Sequence, residues 1–160
     1  MNISLIMEYV PFTMLATSIL IGATTGLGAR SRSAMVTSMI RYMMLLSIGA
    51  TGIWAFLGHT IFAGTTASFI GWPPSPFQFE VALASLGIGL AGLVGFKQTF
   101  NYWLALAIVV SVFYWGAALG HLYQMIFHGN FAAGNVGIVL YMDILIPLLL
   151  NFLLVQYKRL

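Results

Sequence analysis

The chain is 160 residues long, 61% hydrophobic and 6% charged, with six Lys or Arg against three Asp or Glu, and its mean hydropathy is +0.99. A soluble domain is about one-quarter charged, so this chain lacks the charges for a water-facing surface and reads as an all-α membrane protein, a compact helical bundle. Cysteine is absent, which excludes disulfides, thiolate metal sites and cysteine nucleophiles. Six dispersed basic residues make no patch for nucleic acid.

A membrane-spanning helix needs about 20 mostly apolar residues, and five runs qualify: 5–28, 35–62, 77–96, 102–127 and 136–156. The first opens on Glu8 without Lys or Arg, and so reads as a true span and not a signal peptide. The second carries Arg41 and ends near His59; a proline-rich connection, 63–76, follows it. Ser75-Pro76-Phe77-Gln78 then has the form of a capping box, with Ser as N-cap, Pro at the first helical position and Gln at the third. Asn101 and Asn135 stand where they would cap the fourth and fifth helices. Residues 1–160 form one transmembrane bundle in this reading.

Arg30 and Arg32, Lys97, and Lys158 with Arg159 fall on one side of a five-helix serpentine, and Arg41 lies nearest the same side. By the positive-inside rule that side is cytoplasmic. The N-terminus is therefore outside and the C-terminus inside. Every acid and every histidine then lands in the outer half: Glu8, His59, Glu80, His121, His128 and Asp143.

An ionised carboxylate held deep in a bilayer costs about 2.5 kcal/mol or more, so Asp143 calls for a partner, a metal or a proton. Its helical face continues through Pro147 and Asn151, which should point inward. His59, Glu80, His121 and Asp143 supply one ionisable group from each of four helices. Two imidazoles and two carboxylates suit Fe, Mn, Zn or Cu, and a histidine alone suits a haem-type pigment. Gln124 and Tyr114 share the His121 face and are candidate cofactor contacts. The same groups also read as an architectural hydrogen-bond network. His128 and Glu8 are expected at the interface, and Arg41 is expected to snorkel.

Small residues recur at helix-contact spacing: Gly22 and Gly26, Gly116 and Gly120, and Ala84, Gly87, Ala91 and Gly95 on the Glu80 face. Gly87-x-Gly89-x-x-Gly92 matches a dinucleotide pattern, but inside a membrane helix it has no strand-to-helix turn to sit in. Trp54, Trp72, Tyr102, Trp103 and Tyr157 read as interfacial aromatics. No nucleophile elbow surrounds Ser68 or Ser75, and no catalytic residue is assigned.

The runs GHTIF (58–62), GWPPSPFQFEV (71–81), GHLYQMIFHGNFAAGN (120–135) and LYMDILIPLLL (140–150) resemble a family of small prokaryotic membrane proteins of unknown function. The resemblance covers most of the chain from about residue 40 and implies an architecture but no reaction. It places His59, Gln78, Glu80, His121, Gln124, Asn130, Asn135 and Asp143 inside matching motifs.

Three functions follow as expectations. One is binding of a metal or metal-containing cofactor at an outward-opening site. Another is an accessory or assembly role in a larger membrane complex or homo-oligomer, with a structural polar cluster. The last is a small proton- or ion-coupled transporter. The lipid bilayer is the partner common to all three.

Overall fold

In a bilayer every backbone N–H and C=O has to be satisfied within the protein, which favours helix for apolar runs of this length. A computed structural model describes residues 3–28 and 31–160, and the described residues contain helix and no strand. In order they are α1 (Ile3–Gly28), α2 (Arg32–Tyr42), a π-helical segment (Met43–Ala50), α3 (Thr51–Thr60), α4 (Ala63–Ile70), α5 (Phe77–Gly95), α6 (Phe100–His128), α7 (Ala133–Val136) and α8 (Ile138–Arg159). Five stretches are long and apolar enough to cross a membrane: Leu5–Gly28, Arg32–Thr60, Phe77–Gly95, Phe100–His128 and Ala133–Arg159. The chain is a multi-pass membrane protein. Arg30, one of the basic residues counted above, lies outside the described residues.

The second span runs unbroken through α2, the π segment and α3. Ser31 caps it by accepting the Ala34 N–H at 3.4 Å. Along this span glycine sets how closely its neighbours approach. A Cβ on Gly22 of α1 would lie 2.6 Å from the Met39 Cα, and one on Gly26 would overlap Met35, so both expected contacts of α1 are made. Ser18 of α1 and Ser47 of the π segment share a buried hydrogen bond of 2.9 Å.

On the other side, Gly49 and Gly52 cross Gly89 and Gly92 of α5. A Cβ on Gly92 would fall 2.6 Å from the Gly49 nitrogen, and one on Gly52 would fall 2.7 Å from the Gly89 Cα. The packed face of α5 is therefore Ala82, Ser85, Gly89, Gly92 and Gly95. The stripe expected through Ala84 and Gly87 is instead exposed, and a Cβ on Gly87 would meet open space. Gly116 likewise meets nothing, and Gly120 only the Trp72 ring edge at 3.7 Å. Two glycines of the dismissed dinucleotide pattern are thus the helix-crossing pair.

The core is built from Ile40, Met43, Met44, Ile48, Trp103, Val110, Ile146 and Leu150, all fully buried. At one end of the bundle the Arg32 guanidinium donates to Gln156 at 3.1 Å, and the Lys158 ammonium lies 6.0 Å from the Phe100 ring centroid. The Trp103 indole N–H donates to the Gly95 carbonyl at 2.7 Å, tying α6 to α5 beside Lys97. Arg41 is exposed along the span.

The opposite end differs from the sequence reading in several particulars. The 63–76 connection contains a helix, α4, ended by Gly71 at φ 69°. That left-handed conformation favours glycine, and a Cβ there would also press on the Asn130 amide at 2.7 Å. The capping box does not close: Ser75 Oγ accepts the Phe77 N–H at 3.3 Å, but the Gln78 side chain turns away from it. Thr99, not Asn101, precedes α6. Asn135 lies inside α7 and caps nothing, because α8 starts after Gly137.

Candidate functional site: a membrane-embedded cavity

Between α3, α4, α5, α6 and α8 lies a cavity of about 520 Å³, within the range of small-molecule sites, about 300–1,000 Å³. Its wall is mostly apolar, with Met7, Trp54, Trp72, Phe113, Met142 and Ile146, and it carries a few polar groups: His59, Gln78, Tyr114, His121 and Asp143. Phe77 and Val81 of α5 both line the cavity and are exposed, marking its mouth.

The polar corner is organised by Asn135, which is fully buried. Its Nδ2 donates to the carbonyl oxygens of His121 at 3.1 Å and Asn130 at 2.9 Å. Carbonyls only accept, so these two bonds fix which way the amide faces. Its Oδ1 then accepts from the Trp72 indole N–H at 3.1 Å and from His121 Nδ1 at 2.9 Å. Asn130 extends the network by donating to the carbonyls of Ile70 at 2.9 Å and Gly71 at 3.2 Å. One amide thus binds together the 71–76 connection, α6 and the α6–α8 junction.

This arrangement decides the chemistry of His121. Nδ1 has to carry a proton to serve Asn135, so in the neutral ring the lone pair sits on Nε2. Nε2 lies 3.8 Å from Asp143 Oδ2, with the two side chains 9% and 16% accessible. That separation is too long for a hydrogen bond. Pro147, buried in α8, has no N–H for the carbonyl four residues back, that of Asp143. The Trp72 ring packs at 5.5 Å, centroid to centroid, against the imidazole.

The four expected metal ligands do not form one coordination sphere. His121 and Asp143 face each other across 3.8 Å. His59 lines the same cavity, but its Nδ1 lies 3.3 Å from Gln78 Nε2. That amide nitrogen also donates to the Ala63 carbonyl at 2.9 Å, which makes Nδ1 its acceptor and occupies the lone pair a metal would take. Glu80 is exposed and does not line the cavity; Gln78, two residues earlier, does. Among the described residues no group of three or more His, Cys, Asp or Glu side chains is placed to share a metal ion. Tyr114 lines the cavity as expected, whereas Gln124 does not. His128 is exposed.

Asn135 organises the site and caps no helix, and Trp72 and Trp54, expected as interfacial aromatics, line the cavity. The available signal was adjacency: Trp72, His121 and Asn135 all lie in the most distinctive runs of the sequence.

The fold and cavity define a multi-pass helical membrane protein with a largely apolar site, open at one side and floored by one histidine–carboxylate pair. A family model, described as a family of unknown function (DUF6790), matches residues 8–160, and the chain belongs to that family. No curated protein and no solved structure matches it.

Proposed function

We propose that the protein binds a small molecule with an apolar body, held inside the membrane with its polar centre at His121 and Asp143. The observation that carries this is the cavity of about 520 Å³, apolar but for a few convergent polar groups. Its mouth at Phe77 and Val81 faces away from the bundle, the side from which a lipid-soluble ligand arrives. Conduction has less support, because beyond Asp143 the interior is closed by Val110, Leu150 and Trp103, all buried.

A second reading, a metal-bearing cofactor of haem type, is favoured by the Nε2 lone pair, since such a group needs only one axial imidazole. Protein purified in mild detergent without chelator would be scanned for visible absorption, assayed for metals and extracted for mass spectrometry. A bound apolar molecule, absent from the His121→Ala variant, supports the first reading. A visible band with near-stoichiometric metal supports the second. An empty, colourless protein that saturably binds no apolar probe refutes both.

The basic end is proposed to be cytoplasmic by the positive-inside rule, with the cavity in the outer half of a prokaryotic cytoplasmic membrane. Because the chain lacks cysteine, single cysteines at Ser75 and Gln98 report this directly. Impermeant thiol reagent added to intact cells should label the first and not the second; the reverse pattern refutes the orientation.

A further inference from the structure

We infer that the group recognised at the floor of the cavity is a hydroxyl, and that the ligand is a lipophilic alcohol or phenol. This rests on the small-molecule reading above and names its substrate class.

The Asn135 amide keeps a proton on His121 Nδ1, leaving Nε2 as the only nitrogen of that ring able to face a ligand as an acceptor. A net charge buried within the bilayer is costly, so Nε2 and the Asp143 carboxyl act as a neutral unit holding one proton between them. With that proton on either member, the pair presents one donor and one acceptor. The 3.8 Å gap is too wide for the two to satisfy each other, and it is spanned by one bridging oxygen hydrogen-bonded to both. A hydroxyl is the matching group, because its single oxygen gives one proton and receives another. An ether or ketone oxygen receives but has no proton to give, and a carboxylate brings a charge that the pair does not balance. No covalent step is involved.

The surrounding wall agrees with this class. Trp72 covers one side of His121, and Met142 and Ile146 lie beside Asp143 on α8 facing the same cavity. An apolar body suits these walls, with the hydroxyl at their base.

The test uses the full chain in lipid nanodiscs, with tryptophan fluorescence as readout because Trp54 and Trp72 line the cavity. Farnesol is compared with farnesyl methyl ether, and 4-octylphenol with its methyl ether, to separate aliphatic from phenolic sources. Each hydroxyl compound of the favoured source should bind roughly tenfold tighter than its ether, the cost of leaving a buried acceptor unpaired. It should also move the nitrogen-15 resonance of His121 Nε2, with Nδ1 remaining of protonated type. Asp143→Leu removes one member of the pair without leaving a charge behind, and should weaken the hydroxyl compound severalfold while the preference over its ether persists through Nε2. Equal affinity for alcohol and ether overturns the hydroxyl assignment but leaves the cavity reading standing. An affinity for the hydroxyl compound unchanged in Asp143→Leu overturns the role of the pair. Failure of all four compounds to bind saturably overturns both proposals.

Discussion

Replacing Asn135 by alanine tests the site where its parts depend on one another. The substitution removes four hydrogen bonds at once, two accepted and two donated. Hydrogen bonds within membrane proteins contribute about 0.6 kcal/mol each on average, and buried ones in soluble proteins about 1. The loss is therefore between about 2.4 and 4 kcal/mol, before any penalty for the indole N–H and the two carbonyls left behind. Asn130→Ala, at a half-buried position, loses the two bonds donated to Ile70 and Gly71 and the one accepted from the Ala132 N–H, and should cost about three-quarters as much. Both are measured as unfolding free energies, by titrating detergent-solubilised protein with a denaturing detergent and following circular dichroism. Nitrogen-15 spectra of the folded Asn135→Ala protein should also show His121 released from its single tautomer. A loss under about 1 kcal/mol, with the tautomer unchanged, would mean that the four bonds are replaced locally and that Asn135 organises nothing.

Other positions give sharper contrasts. Gly92→Val should cost at least about 2 kcal/mol in the same assay, because its side chain meets the Gly49 backbone, which cannot move aside. Gly87→Ala, five residues away on the open face, should be neutral or stabilising by up to about 1 kcal/mol through helix propensity. Glu80→Gln should leave both ligand binding and stability within about 0.5 kcal/mol of the parent, as for an exposed group outside the cavity. A large effect on binding would restore it to the site. Asn151→Leu removes bonds to Ser111 and the Pro147 carbonyl, both 2.8 Å, and should cost about 1 kcal/mol without altering ligand preference.

The span positions were legible because hydropathy depends on composition over some 20 residues and not on rotation or contact. Helix rotation was another matter. Glu80 and Gln78 differ by about 200° around α5, and nothing in a uniformly apolar helix says which of them faces inward. In water an amphipathic pattern would mark the buried face; in lipid both faces are apolar and that signal vanishes. The same ambiguity hid the packed glycines, since Gly87 and Gly89 look alike in sequence and only Gly89 meets a partner helix. On α8 the inward line of Asp143, Pro147 and Asn151 is legible, because there a row of polar and helix-breaking residues distinguishes one face. Asn135 is ambiguous for a different reason: a polar residue before an apolar run has the form of a cap, and its long-range partners Trp72 and His121 are set by tertiary structure.

The cavity follows from an imbalance in how the helices are held. Toward the basic end, α5 is tied to α6 through the Trp103–Gly95 bond and through Tyr102, whose hydroxyl donates to the Ala91 carbonyl at 2.9 Å. Gly49 and Gly52 draw the second span against the middle of α5. Toward the other end these ties give way to larger groups, with Trp54, Phe113 and Tyr114 bordering the space. There the helices are spanned by hydrogen bonds from Asn130 and Asn135 and not by side-chain interlock. A fully packed bundle of this composition would have no need of a fixed histidine tautomer, a carboxylate held beyond hydrogen-bonding distance, or a proline that strips the donor from the same residue's carbonyl. The first two features converge at the floor of the cavity, where His121 and Asp143 line the space without bonding to each other. Stability alone would favour filling that space, and the proposed ligand would supply the partners that packing does not.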